Sequence, residues 1–511
     1  MTMKICIVGG GSAGWMSATT LLTKCNTPSL DCEVTLISSK DIPTVCVGES
    51  TLERIRDWKV MFPIEDDEFL RETNGTIKHS IKFTNWLTPD SGSFYYPFGE
   101  VHHDPDLWWS IQLETGEFSH NDYGTDINSI GFLSKHGKCD VREAHAYHFD
   151  ATKFAQYLKE KFCEDVNHIE ATVVDGDVDE NGIKSLRLDN GESIEADLFI
   201  DCTGFRSLLL GDYLKEPFKS SNDLLPNDTA WTTIIPHVNK KEMAPVTECT
   251  AIENGWVWEI PLWDRVGSGY VYSSKYVSDE DAKQEFINCL KQKGYDPSEC
   301  EFRKIPMRVG RHERTWVKNV VAIGLSGGFI EPLESNGLLT IHENLIDLHK
   351  TLRRGLPSEC LKKMYNRGTN RKFDEFLEFV ALHYALTQRQ DTPYWKDIFN
   401  KDYSFIEVGE QRMDGFVSWS EHLYVQPGFY DVNTAGYHYI LSGMNVCPWP
   451  YRNNFAGTPY KRWSNDPTMD HYPQKERQYK KHRISWKSKV KAGSLTSMYD
   501  FLKKHVYFDK K

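Results

Sequence analysis

No stretch of this chain approaches the roughly 18 consecutive apolar residues that a membrane-spanning helix requires, so no membrane partner is expected. Twelve cysteines are scattered through 511 residues with no C-x-x-C pair. That pattern excludes a disulfide framework and a zinc ribbon, and points to reduced, buried thiols with no metal site. There is no internal repeat and no low-complexity linker. Met1-Thr2-Met3-Lys4 runs straight into an apolar strand, without the h-region of a signal peptide, so a cytoplasmic protein is expected. The net charge of -13 argues against nucleic acid as the main partner. One local exception spans Lys475 to Lys491, where eight Lys or Arg residues interleave with Tyr479 and Trp486. In an acidic chain this reads as a solvated segment packed by its two aromatics.

What is present begins at the first strand. Ile5-Cys6-Ile7-Val8 leads into Gly9-Gly10-Gly11-Ser12-Ala13-Gly14, so Gly9, Gly11 and Gly14 have the G-x-G-x-x-G spacing. The first glycine permits the turn, the second lets backbone approach a pyrophosphate, and the third lets helix pack on strand. Ser12 and Ala13 then open a helix whose N-terminus faces the phosphates. A helix from Ser12 to Leu22 and a strand through Val34-Thr35-Leu36-Ile37 complete a βαβ unit. The acid expected at the end of that strand is replaced by Ser38, a weaker ribose partner, and the nearby Lys40 suits a phosphate.

Further elements follow from pattern. Residues 150–161 read as a helix capped by Asp150, and residues 341–354 and 371–386 carry helical spacing. Val320-Val321-Ala322-Ile323-Gly324 reads as a buried strand. Asp197-Leu198-Phe199-Ile200-Asp201-Cys202-Thr203-Gly204 resembles the second strand-and-glycine signature of flavoprotein monooxygenases, and so favours FAD over NAD. No second G-x-G-x-x-G follows a strand, so reduced flavin or electrons are expected from a partner protein. After about residue 395 the chain turns rich in Trp, Tyr, Asn, Pro and Gly, and predicts short helices and loops. The hexapeptide Trp256-Val257-Trp258-Glu259-Ile260-Pro261 is the most informative stretch: in an extended segment its two indoles point the same way, and the proline ends the pairing.

Taken in order, several blocks resemble the flavin-dependent tryptophan halogenases. They are Gly9 to Trp15; Val47-Gly48-Glu49-Ser50-Thr51; Asn74 to Trp86; His148-Phe149-Asp150-Ala151; Gly255 to Pro261; Gly267 to Ser274; Arg308 to Arg311; Glu331-Pro332-Leu333-Glu334-Ser335-Asn336-Gly337; and Asp391 to Trp395. The resemblance implies an α/β, FAD-binding Rossmann-like flavoprotein monooxygenase fold with a mostly helical C-terminal substrate layer. It implies a core over residues 1–395, with an inserted sheet at about 205–310, and a substrate-covering region over 396–511. It also implies reduced FAD from a separate flavin reductase, a halide ion as co-substrate, and a small aromatic substrate. A homodimer is compatible with it.

The resemblance also assigns residues. Val47, Gly48, Glu49, Gly324 and Pro332 join the glycine turn as flavin contacts. Trp256 and Trp258 form a wall between flavin and substrate. Lys78 meets the hypohalous acid beside the arene, and Glu334 is the neighbouring acid or base. Lys82, four residues after Lys78, shares a face with it if the segment is helical. Asn336 and Gly337 stand where two backbone N–H groups hold the halide, and Ser335 borders the tunnel. Phe98 matches a ring that holds the substrate, and Tyr96 replaces a histidine. The groups that clamp free tryptophan have no clear counterpart in Gln426 to Ala435. An unpartnered zwitterion is costly to bury, so an indole, phenol or pyrrole other than free tryptophan is expected. The competing readings are an FAD-dependent aromatic hydroxylase, which uses the same fold, and a non-catalytic anion-binding protein acting through residues 475–491.

Overall fold

The computed structural model describes residues 2–23, 30–41, 48–99, 108–109, 111–112, 115–403, 434–446 and 495–508. Val47, residues 426–433 and the basic segment 475–491 lie outside them, so the expectations placed there are not addressed by the structure.

A six-stranded sheet forms the cofactor half. Its order is Trp316–Val317, Val320–Ala322, Leu198–Asp201, Met3–Val8, Cys32–Ser38, Asn167–Glu170. All neighbours run parallel except the outermost pair, Trp316–Val317 against Val320–Ala322. Met3–Val8 sits inside the sheet with an almost wholly buried pattern, as its continuous apolar run requires of a strand covered on both faces. The βαβ unit is formed as its sequence indicates: helix Ser12–Leu22 crosses from Met3–Val8 to Cys32–Ser38. Asp150 caps helix Ala151–Phe162 by accepting from the Thr152 and Lys153 amides at 2.9 and 3.0 Å.

The second half is a seven-stranded sheet of order Phe302–Pro306, Thr229–Ile235, Val266–Tyr272, Gly255–Pro261, Val246–Ile252, Ser80–Thr84, Ser93–Pro97. The tryptophan strand, Gly255–Pro261, lies at its centre and ends at the proline. Helices Gly337–Leu352 and Glu359–Leu386 pack against one another and close the core. Their buried positions match the helical spacing in both windows.

A small three-stranded sheet joins the halves, with Ala146–Phe149 between Glu49–Ser50 and Thr76–Lys78. Its register sets Ser50 and Thr76 on either side of His148, and Lys78 beside Ala146. The stretch holding Lys78 and Lys82 is therefore two strands, Thr76–Lys78 and Ser80–Thr84, and the helical option is overturned. Lys82 instead reaches Glu248 at 3.1 Å on the neighbouring strand.

Candidate active site

A cavity of about 650 Å³ opens where the two halves meet. Its lining includes Gly9 to Ala13, Ser38, Ser39 and Thr203 to Arg206, together with Trp258, Ile260, Pro332, Leu338 and Ile341. Gly9 has φ +120°, and a Cβ there would fall 2.2 Å from the Cys202 carbonyl oxygen. A Cβ on Gly14 would fall 1.9 Å from the Gly9 carbonyl oxygen, so helix and strand meet with no room for a side chain. Helix Ser12–Leu22 has no side-chain cap and no acid in its first turn. Its leading N–H groups are thus left for an anion at the cavity mouth. This glycine cradle, in a lining that also carries apolar side chains, fits a flavin dinucleotide.

Each cofactor expectation has a definite place. Gly48 and Glu49 line the cavity. Burial and the Asp150 charge raise the Glu49 carboxyl to about 7. Pro332 also lines it, whereas Gly324 stands behind it, packed so that a Cβ would fall 3.2 Å from that of Ala13. Ser38 lines the cavity, and its Oγ pairs with His168 Nε2 at 2.8 Å. Lys40 is different: it is 71% exposed and ion-paired to Glu170 at 2.8 Å, outside the lining.

Trp258 borders the cavity; Trp256, Lys78 and Glu334 do not line it. The two indoles lie 6.1 Å apart on one strand. Trp258 is seated where a Cβ on Gly269 would come within 2.1 Å of its ring, so the glycine of the neighbouring strand makes its berth. Trp256 donates its N–H to Glu331 Oε2 at 3.0 Å. The same oxygen accepts from Asn227 Nδ2 at 2.9 Å and Tyr384 OH at 2.6 Å. Glu331 is thus a buried anchor for the tryptophan strand.

Lys78 is fully buried, and its Nζ donates to Ser335 Oγ at 2.7 Å. It also stands 5.2 Å from the centre of the Phe98 ring. Burial lowers the ammonium to about 7, with Glu334 and Cys249 opposing the shift. Glu334 is fully buried too, and burial raises its carboxyl while His383 and Lys78 oppose. His383 Nε2 lies 2.8 Å from Glu334 Oε1. Ser335, between these groups and the cavity, has φ +59°, a left-handed conformation that L residues rarely adopt. That turn aims Ser335 at Lys78 and starts helix Gly337–Leu352 immediately after.

Asn336 is the N-cap residue of that helix and Gly337 its first residue. No acid occupies the first turn, so the helix end offers amides without a competing anion. Tyr96 and Phe98 are buried with ring centres 6.4 Å apart, and Tyr439 of helix Thr434–Gly443 lies 5.6 Å from Tyr96.

The chain as a whole resembles known proteins. The family described as tryptophan halogenase matches residues 4–459. The chain belongs to that family. It is 32% identical over 484 residues to tryptophan 7-halogenase RebH of Lentzea aerocolonigenes, covering 87% of this chain and 90% of that protein. It is 35% identical over 430 residues to tryptophan 6-halogenase SttH of Streptomyces toxytricini, covering 77% and 80% of the two chains. Among solved structures, apo VirX1 superposes with a TM-score of 0.86 at 34% identity, covering 99% of this chain and 100% of that one. This protein is therefore a flavin-dependent halogenase, with reduced FAD from a separate flavin reductase and a halide as co-substrate. The hydroxylase reading gives way to that assignment. Among the described residues no helix is long and apolar enough to cross a membrane, and no three His, Cys, Asp or Glu side chains are grouped to hold a metal.

Several site residues of this halogenase carry no motif of their own. His383 sits within an amphipathic helix, where its 3.6-residue spacing is indistinguishable from core packing. Thr247 lies in an unremarked strand. Strand pairing with Ser80–Thr84 brings Thr247 to the site, and helix packing brings His383 beside Glu334.

Proposed function

We propose that this halogenase acts on an electron-rich aromatic other than free tryptophan, with Lys78 as the amine that meets the oxidant and Glu334 as the carboxylate beside the ring. The observation that carries this reading is the burial of Lys78 Nζ against Ser335, which itself lines the cofactor cavity. Gly9, Gly11, Ser12, Ala13, Gly14, Ser38, Gly48, Glu49 and Pro332 would hold FAD, with Gly324 supporting them from behind. Bound reduced FAD, with dioxygen and a halide, supplies hypohalous acid. The Asn336 and Gly337 amides hold the halide, and Trp256 and Trp258 keep the arene from the flavin.

The ammonium of Lys78 donates to the hypohalous oxygen and polarises the oxygen–halogen bond. As that bond breaks, halogen passes to a ring carbon, and the hydroxide leaves as water with a proton from Lys78. The ring then loses its proton to Glu334 and regains aromaticity. Tyr96 and Phe98 frame the ring. Free tryptophan is disfavoured because the groups that clamp it in the family have no clear counterpart in the sequence from Gln426 to Ala435.

The nine described cysteines are all unpaired, which supports a reducing, cytoplasmic setting. The chain divides by this reading into a core to residue 395 and a substrate-covering region from 396. The test is a panel of halides against arenes, read by mass spectrometry, with the Lys78→Ala variant beside the parent. Lys78→Ala is expected to lose ring halogenation and to keep halide-dependent hypohalous acid formation. Persistent ring halogenation in that variant would remove Lys78 from the mechanism.

A further inference from the structure

Behind Lys78 runs an unbroken file of buried polar groups. Lys78 Nζ donates to Ser335 Oγ at 2.7 Å, and Ser335 Oγ donates to Ser50 Oγ at 3.0 Å. Ser50 Oγ lies 2.6 Å from Thr247 Oγ1, which lies 2.8 Å from His148 Nε2. The other ring nitrogen, His148 Nδ1, is 3.1 Å from Thr76 Oγ1, and Thr76 donates to the Pro261 carbonyl oxygen at 2.5 Å. Every side chain in the file is 8% exposed or less.

The far end dictates the direction of the whole file. A carbonyl only accepts, so the Thr76 hydroxyl hydrogen is committed to Pro261. Thr76 is left as an acceptor, and His148 Nδ1 must carry the hydrogen that faces it. Burial and the Lys78 charge hold His148 well below its ordinary range, so the ring is neutral and Nε2 is bare. Nε2 then accepts from Thr247, Thr247 from Ser50, Ser50 from Ser335, and Ser335 from Lys78. One tautomer aligns all of these bonds in a single sense, and the reverse tautomer would set Nδ1 against Thr76 with no hydrogen between them.

We infer that His148 is a positioning residue for Lys78: its Thr76-locked tautomer polarises the Thr247–Ser50–Ser335 file so that an oxygen lone pair always faces Nζ, which holds Lys78 as an aimed ammonium. The inference rests on the functional reading of Lys78 above. The ammonium needs this support because its surroundings are otherwise poor in solvation. The charged or titratable groups that face it are Glu334, Cys249 and His148, and the Phe98 ring adds its face. Glu334 shares its charge with His383. With the file reversed, Ser335 would turn its hydrogen toward Nζ, which favours the neutral amine.

The test uses the full chain and two variants remote from the cavity. Thr76→Val removes the acceptor at Nδ1 and allows the ring to carry its hydrogen on Nε2, reversing the file. Thr76→Ser keeps the acceptor. In protein labelled at lysine Cε, with Lys78 assigned by its loss in Lys78→Met, the Lys78 titration midpoint is expected to fall by about one pH unit in Thr76→Val and to stay in place in Thr76→Ser. Equal midpoints in all three proteins would overturn the inference. If Thr76→Val does not fold, histidine ring nitrogen shifts of the parent decide it: hydrogen on Nδ1 of His148 supports the file, and hydrogen on Nε2 overturns it. Ring bromination of indole is measured alongside. Absence of bromination in the parent counts against the functional reading, while the titration still reports on the file.

Discussion

His383 Nε2 and Glu334 Oε1 face each other at 2.8 Å with both side chains sealed from solvent. The other ring nitrogen, Nδ1, lies 3.2 Å from the carbonyl oxygens of Phe379 and Val380, so it carries a hydrogen. Burial pushes the Glu334 carboxyl up, and His383 beside it pulls the other way, which favours the carboxylate that can take a ring proton.

Replacing His383 therefore has a specific effect. His383→Phe keeps a ring among Phe83, Trp86 and Phe379 but leaves the Glu334 carboxyl protonated by burial. Turnover for ring halogenation is expected to fall by about 10- to 100-fold, mainly in kcat. Hypohalous acid formation, measured with a halogen-trapping dye, is expected to continue. An unchanged kcat would show that Glu334 does not need its partner.

Burial of Lys78 makes a statement about stability as well as chemistry. Its ammonium is lowered to about 7 in the folded chain, against roughly 10.4 in the unfolded one. Between these values the unfolded chain binds the extra proton, so this group's contribution rises with pH there. Lys78→Met is accordingly expected to be more stable than the parent, by on the order of a few kcal/mol at and below pH 7. That advantage shrinks as pH rises from about 7 toward 10. Urea unfolding of both proteins across this range is the measurement. An advantage independent of pH would mean that packing, not charge burial, separates them.

The cofactor cradle tolerates no added atom at its third glycine. Gly14→Ala would place a Cβ 1.9 Å from the Gly9 carbonyl oxygen, which must move and take the turn with it. Overpacking of this kind costs about 1–3 kcal/mol. The variant is expected to melt lower and to bind FAD at least about tenfold more weakly, by fluorescence quenching on titration. Wild-type affinity would show that the turn does not hold the cofactor.

Much of this was legible in the chain. The βαβ unit, the Asp150 cap and the long amphipathic helices are local, because glycine spacing, capping residues and a 3.6-residue period act within a few residues of each other. The Lys78 segment was harder. Spacing of four between Lys78 and Lys82 satisfies a helix as well as a strand, and pairing with Ala146–Phe149 and Val246–Ile252 settles it as strand. Lys40 next to a phosphate turn looked like an anion ligand, yet its neighbour Glu170 comes from a strand some 130 residues away. His383 and His148 belong to the same class. Their partners are supplied by tertiary packing, and no one-dimensional pattern distinguishes them from core histidines.

The two acids of Glu331-Pro332-Leu333-Glu334 make the sharpest contrast. Pro332 to Glu334 form a single 3₁₀ turn, which sends the side chains to different surroundings. Glu331 Oε2 receives hydrogen bonds from Trp256, Asn227 and Tyr384, and Tyr394 OH donates onward to Asn227 at 3.0 Å. Nothing in that set is a base, so Glu331 has structural work: it fixes the indole that, in this reading, separates flavin from arene. Glu334 has His383 and lies near Lys78, a set that can exchange protons. Glu331→Gln can keep a carbonyl oxygen where Oε2 accepts all three donors, but it gives up the charge that strengthens those bonds. It is expected to lose about 1–3 kcal/mol of stability and to keep most ring halogenation. Glu334→Gln is expected to do the opposite: little change in melting temperature, and a loss of about 100-fold or more in kcat. Thermal melts and turnover measured on both variants give four readings that must split along this diagonal. If Glu331→Gln instead abolishes turnover in a folded protein, the first acid of the motif, rather than the second, serves the ring.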